Sequence, residues 1–206
     1  MSKINLALTK LKNREPVYYV ATDEFTYKNG LKLSKTNADI IRLNLEHGPF
    51  DMWAVRKFID GLIDGGPTKF GDRTPFIIAE LPFDGNSETS VISNSWMIKQ
   101  LLAQGVHGLL LCHASSLKAV KEFVKSSFYS FEKIKGLGQG HRGHGGQERA
   151  AHVWGFSTKK YLEMATLWPL NPNGHIVLGV KLENKKAFLN ANKILKIKGL
   201  CFAEWG

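Results

Sequence analysis

Cysteine is scarce: Cys112 and Cys201 are the only two, and both sit inside apolar runs. A disulfide framework needs more sulfur than that, so the expected setting is a reducing one, the cytoplasm. No apolar stretch approaches the roughly 18 residues that cross a bilayer, so no membrane partner is expected. The start of the chain, Met1-Ser2-Lys3-Ile4-Asn5, lacks the long apolar core of a secretory leader. Acid is also in short supply, with 18 Asp and Glu against 28 Lys and Arg and a formal net charge of +10. The excess is spread along the chain, for instance over Lys118, Lys121 and Lys125, Lys159-Lys160, and Lys185-Lys186. No arginine cluster or recognition motif accompanies it, so a nucleic-acid partner is not expected. A dispersed positive field that draws in acidic metabolites fits better.

What is present is a hydrophobic content of 43% in 206 residues, enough for one sizeable core, with no repeat or linker to divide it. A single domain over 1–206 is expected. Five apolar runs end on ionisable side chains. Ile40 to Leu45 runs into Glu46-His47, Phe76 to Ala79 into Glu80, and Leu109 to Cys112 into His113. Ile176 to Leu182 runs into Glu183, and Leu200 to Ala203 into Glu204. Apolar runs of this length, separated by helix-like segments, read as buried parallel strands. Val17 to Val20 reads as a short first strand, Thr22 to Asn37 as a polar loop, and Asp51 to Ile63 as a helix with Trp53, Phe58 and Leu62 on one side. Phe83 to Ser95 reads as a loop, Trp96 to Gln104 as a helix closed by Gly105, and Leu117 to Ser126 as a helix capped by Ser115-Ser116. Gly136 to Gly146 is a glycine-rich loop. Ser157 caps Thr158 to Ala165, and a last helix covers Lys185 to Leu195. Strands alternating with helices imply a mainly parallel sheet. A closed eight-stranded barrel takes about 250 residues, so the sheet is expected to be open or the barrel incomplete at its C-terminus.

Asn44-Leu45-Glu46-His47-Gly48-Pro49-Phe50-Asp51 resembles the strand-two motif of the metal-dependent 2-oxo-acid aldolases, the family of 2,4-dihydroxyhept-2-ene-1,7-dioate aldolase and 2-dehydro-3-deoxyglucarate aldolase. Four further segments are similar to that family in the same order. They are Trp96 to Leu102 with Gly105, Gly140-His141-Arg142-Gly143-His144-Gly145-Gly146 with Arg149-Ala150, Lys181-Leu182-Glu183-Asn184 with Ala187 and Asn190, and Phe202 to Gly206. The resemblance implies an incomplete TIM-type barrel of the pyruvate type and a class II aldolase, a carbon–carbon lyase. It would cleave a 2-oxo-4-hydroxy acid reversibly into pyruvate, or a related 2-oxo acid, and an aldehyde. It also implies a divalent ion (magnesium, manganese or cobalt) and a homo-oligomer. Mapped here, Glu183 is the metal ligand, His47 moves the proton of the hydroxyl, and Arg142, Gly145 and Gly146 with Lys181 meet the substrate. The loop would use backbone N–H groups for a carboxylate.

The chain also departs from that pattern. The family's second metal ligand lies a few residues beyond the position of Gly206. Where many members carry an arginine on strand three this chain has Glu80, taken as a catalytic-site residue that binds metal or shuttles a proton. The acid that tunes the histidine aligns with Ala103, the Asp before Glu-His is Asn44, and the Gln before the metal glutamate is Lys181. Lys181 and Glu183, two apart on one strand, face the same side. Lys181 is expected to pair with Glu183 or Glu80, with Schiff-base chemistry as the alternative. His141 and His144 lack a matched set for zinc. Trp53, Trp96 and Trp154 read as core or subunit-interface anchors. The rival function is a non-catalytic barrel remnant that binds a keto acid or a partner protein.

Overall fold

Helices and strands alternate through residues 5–206, the part described by the structure, a computed structural model. Met1 to Ile4, read above for a leader, lie outside it. In chain order the elements are α1 (Leu6–Asn13), β1 (Tyr19–Thr22), α2 (Tyr27–Leu33), β2 (Ile40–Asn44), α3 (Met52–Gly65), β3 (Phe76–Asp84), α4 (Glu88–Ala103), β4 (Gly108–Cys112) and α5 (Leu117–Ser127). There follow β5 (Lys133–Ile134), β6 (Gly138–Gln139), α6 (Gln147–Trp154), α7 (Thr158–Met164), β7 (Val177–Leu182), α8 (Lys185–Ile194) and β8 (Phe202–Trp205). Six strands form one parallel sheet in the order β1-β2-β3-β4-β7-β8, and β5 and β6 make a separate antiparallel pair. The sheet curls so far that Arg42 on β2 reaches Glu204 on β8. Among the described residues β1 and β8 do not pair with each other, so the barrel is incomplete.

The period of two along each strand sorts the side chains. Ile41, Leu43, Ile77, Ala79, Leu109, Leu111, Leu178 and Val180 pack outward into the main core with the helices. Ile40, Phe76, Ile78, Leu110 and Val177 point inward, where Ala7 and Leu8 of α1 pack against them. Inward positions nearer the carboxyl ends carry Arg42, Glu80, Cys112, Lys181 and Glu204 instead. The interior is therefore apolar at one end and ionic at the other. Helix starts follow the side-chain caps: Asp51 accepts from the N–H groups of Trp53 and Ala54, Ser116 from Ala119, Ser157 from Lys160 and Asn184 from Ala187.

Several expectations are corrected. The stretch Thr22 to Asn37 is not all loop, because Thr26 caps α2. Helix α2 is held close to α3 by two glycines: a Cβ on Gly30 would run into the Phe58 carbonyl, and one on Gly61 into that of Tyr27. We expect Gly61→Val to lower stability by about 1–3 kcal/mol in urea denaturation, as overpacking does. Helix α4 begins at Glu88, capped by Ser87, well before Trp96. Trp53 leaves the side shared by the buried Phe58 and Leu62 and is 64% exposed, because five residues from 53 to 58 is not a whole number of turns. Trp96 is also exposed, and only Trp154 of the three is buried.

Two buried histidines, His107 and His175, lie just before β4 and β7, at the entry ends of the strands. His107 stacks on Trp154, and its Nδ1 accepts from the Ile77 N–H, while His175 Nε2 has no hydrogen-bond partner among the described residues. Burial, and then the neighbouring His175, pushes His107 down to about 3. Burial, and then Lys12 and Lys160, pushes His175 down to about 4. Both stay neutral in the fold at pH values where the unfolded chain protonates them. Their contribution to stability is thus complete above about pH 7 and is lost as pH falls from about 6.5 toward 4. The expected slope is up to roughly 1.4 kcal/mol per pH unit for each histidine. Urea denaturation at pH 7 and pH 5 checks this, and a His175→Phe variant should show a shallower slope.

Candidate active site at the carboxyl ends of the strands

Four strands deliver the ionic layer. Register places Asn44 of β2 beside Glu80 of β3, and Lys181 of β7 beside Glu204 of β8. Same-face continuation two residues past Asn44 and Lys181 brings in Glu46 and Glu183. Lys181 Nζ lies 2.6 Å from Glu80 Oε1, 2.8 Å from Glu46 Oε2 and 3.0 Å from Glu183 Oε1. Arg42 Nη1 lies 2.8 Å from Glu204 Oε1 and Arg42 Nε 3.5 Å from Glu80 Oε2, with the guanidinium over the Tyr19 ring. Glu80 thus links the two cations. Gly179 makes room for the Phe202 ring directly below this layer.

His113 follows β4 with a φ of 46°, a left-handed conformation uncommon for a residue with a side chain. The turn aims its N–H at Glu183 Oε2, 2.8 Å away. Its imidazole stands between two acids, with Nε2 3.5 Å from Glu46 Oε1 and Nδ1 3.5 Å from Glu183 Oε2. Backbone strain of this kind persists where the surroundings enforce it and gathers at functional sites.

Four carboxylates and two cations leave this layer with two negative charges while its imidazoles are neutral. Burial alone would lower the Lys181 ammonium, but its hydrogen bonds to Glu46, Glu80 and Glu183 outweigh that and hold it above the ordinary lysine value. Burial likewise opposes ionisation of Glu46, yet Lys181 keeps that carboxyl below its ordinary value. Cys112, 3.9 Å from Glu80, has its thiol pushed well up by burial and then by the Glu46 charge. At neutral pH it is a thiol, neither nucleophile nor strong ligand.

The structure brings Glu80, Lys181 and Glu183 together. His47 stands at the edge, its side chain 75% exposed and its Nε2 3.5 Å from Glu46 Oε2. Arg142 is elsewhere. It is buried, donates from Nη2 to the Tyr161 hydroxyl and stacks over the Tyr129 ring. Gly145 and Gly146 are exposed at the start of α6, and the Gly145 N–H is taken by the Gln147 side chain. His141 is tied to Glu122 of α5 at 2.8 Å, and His144 stacks on Tyr129 and Phe131. Among the described residues no hydrogen bond or ion pair joins this loop to the ionic layer. Sequence reading gave no role to Glu46, Arg42 or Glu204. Glu46 and Glu204 did carry a signal, since each follows an apolar run at a strand end.

Could these residues hold a divalent ion? Glu46, Cys112 and Glu183 place ligand atoms within 4.8 Å of one another. Glu46 Oε1 and Glu183 Oε2 are the two oxygens not bonded to Lys181, and two carboxylates completed by water and substrate oxygens suit a hard divalent ion. The residual double negative charge suits one as well. The Cys112 thiol does not fit such an ion, so the fit is to Glu46 and Glu183.

No protein-family model matches the chain, and no curated protein sequence does. Solved structures do share its fold. A HpcH/HpaI aldolase/citrate lyase family protein from Burkholderia cenocepacia J2315 aligns with TM-score 0.74 and 18% identity over 98% of this chain and 68% of its own. HpcH/HpaI aldolase from Desulfitobacterium hafniense DCB-2 aligns with TM-score 0.68 and 15% identity over 99% and 66%. The citrate synthase SbnG aligns with TM-score 0.66 and 16% identity over 99% and 66%. The chain therefore has the fold of the HpcH/HpaI aldolases and spans about two thirds of the length of these structures. The incomplete α/β barrel expected from the sequence is met.

Proposed function

We propose that the chain is a lyase that cleaves and forms a carbon–carbon bond next to a 2-oxo acid, reversibly releasing pyruvate or a close relative and an aldehyde. One observation carries this reading: Glu46, Glu80, Lys181 and Glu183 converge from three strands and their extensions at the carboxyl end of one parallel sheet, where barrel chemistry collects. An anionic 2-oxo acid would be repelled by two uncompensated negative charges, so the reading calls for a divalent ion on Glu46 and Glu183. When bound, such an ion supplies Lewis acidity that stabilises an enolate.

The chain's own residues do the rest. Glu46 and Glu183 are fixed by Lys181, and Glu183 also by the His113 N–H. Glu80 positions Lys181 and balances Arg42. His47, exposed beside Glu46, takes and returns the proton of the substrate hydroxyl. Lys181, committed to three carboxylates, meets substrate as a charge and not as an imine. Arg142, Gly145 and Gly146 are left out of this proposed site, since Arg142 is spent on Tyr161 and Tyr129. We place the protein in the cytoplasm as a homo-oligomer; its two cysteines are unpaired, and among the described residues no helix is long and apolar enough to cross a membrane.

Incubation with pyruvate, a short aldehyde and Mn2+ should give an aldol adduct that chelator abolishes and His47→Ala greatly slows. Product surviving full chelation would favour an imine on Lys181. Complete absence of product over a range of aldehydes would favour the non-catalytic remnant, a reading that the self-satisfied pairing of Lys181 supports.

A further inference from the structure

We infer that Lys181 is a built-in competitor for the cation position, so that this site holds a divalent ion weakly and only at the expense of the Lys181 ion pairs. The inference rests on the proposed reading that Glu46 and Glu183 are the ion's ligands.

The geometry is specific. One ammonium spans Glu46 and Glu183, the same two carboxylates that offer themselves to an ion, and takes one oxygen from each at 2.8 and 3.0 Å. A third carboxylate, Glu80, holds the ammonium at 2.6 Å from a neighbouring strand. Lys181 is buried and its stem rises from β7, a strand paired on both sides by β4 and β8, so it is a fixed occupant and not a mobile surface lysine. A divalent ion drawing on Glu46 and Glu183 meets a positive charge already seated between them. At a few ångströms, even with the screening typical of protein interiors, like charges repel strongly. Arg42 does not compete in this way, because its partners are Glu80 and Glu204.

The competition also has a use. An anionic 2-oxo acid bound beside the ion would set its negative charge next to both the ion and Lys181 and so ease the repulsion between those two cations. Ion affinity should then rise when substrate is present, and substrate affinity when ion is present, by the same factor.

The test is a Mn2+ titration of the full chain, with free Mn2+ read by electron paramagnetic resonance. Wild type should bind at least about tenfold more weakly than Lys181→Gln or Lys181→Met, which corresponds to about 1.4 kcal/mol. Lys185→Gln, which removes a charge close in sequence, should match wild type. Pyruvate should tighten Mn2+ binding to wild type. Equal affinity in wild type and both Lys181 variants overturns the inference, yet leaves the ion reading standing if Glu183→Gln and Glu46→Gln each weaken binding. Binding unaffected by those two glutamine variants overturns the ion reading itself. A Lys181→Gln protein that is unfolded alone but refolds with Mn2+, seen by circular dichroism, supports the inference. One that stays unfolded at every Mn2+ concentration, together with a Lys181→Met protein that binds no better than wild type, counts against it.

Discussion

Lys181→Met is expected to lose about 3–5 kcal/mol of stability at pH 7.5, the cost typical of removing one partner from a buried ionic group. Glu46, Glu80 and Glu183 all lie within 3.0 Å of Nζ, so its removal leaves three acids facing one another with Arg42 and the imidazoles of His47 and His113 beside them. The pH dependence gives the signature. In wild type the lowered Glu46 carboxyl contributes stability above its unfolded value near 4.5 and loses it as pH falls. In the variant the sign reverses, because protonation now relieves repulsion. The gap between the two proteins should therefore be largest at pH 7.5 and shrink toward pH 5. The histidines at the entry ends act equally in both proteins and cancel in the difference. Urea midpoints across that range decide it, and a gap that stays constant with pH would contradict the ionic account of this layer.

Glu183→Gln is the second large effect expected, here on turnover. The carboxylate pairs with Lys181 through Oε1 and accepts the strained His113 N–H on Oε2, the oxygen that would also face an ion. Glutamine keeps the size but removes the charge, and its amide offers the His113 N–H and Lys181 a weaker acceptor. Loss of an outer-shell partner costs 10–100-fold in metal sites, so loss of the ligand should lower kcat/KM by about 100-fold or more. Stability should change far less than in Lys181→Met, because one acid fewer eases the crowding. A variant with unchanged kcat/KM would remove Glu183 from the mechanism.

Much of this architecture was legible in the residues. The inward face of each strand follows from a period of two, and the ionisable residue closing each apolar run marked the end where chemistry gathers. Lys181 and Glu183 on one face required only their spacing, and a pairing of Lys181 with Glu183 or Glu80 was expected, where the structure has both. Other features rest on contacts that no local pattern encodes. Arg42 meets Glu204 across 162 positions of sequence, and Lys181 meets Glu46 across 135. The curl of the sheet alone makes those pairs. Helices α1 and α2 escaped because each has only two turns, and α2 contains Gly30, which weakens helix propensity but lets α3 approach. Arg142 looked like a substrate ligand from its glycine-rich surroundings. Its burial between Tyr129 and Tyr161 depends on α7 and the segment just after α5 folding around it. The positive charge that the resemblance places at position 80 comes instead from Lys181 on β7, while position 80 supplies the acid that holds it.

If this layer stabilises the enolate of a 2-oxo acid, as proposed, it must speed proton exchange at the methyl group of pyruvate, a test that needs no knowledge of the aldehyde. In deuterium oxide with Mn2+, the wild-type protein should accelerate loss of the pyruvate methyl proton signal, and Glu183→Gln should not. Exchange at the protein-free rate with wild type would rule out enolate stabilisation by this layer, and equal acceleration by wild type and Glu183→Gln would rule out the part given to Glu183.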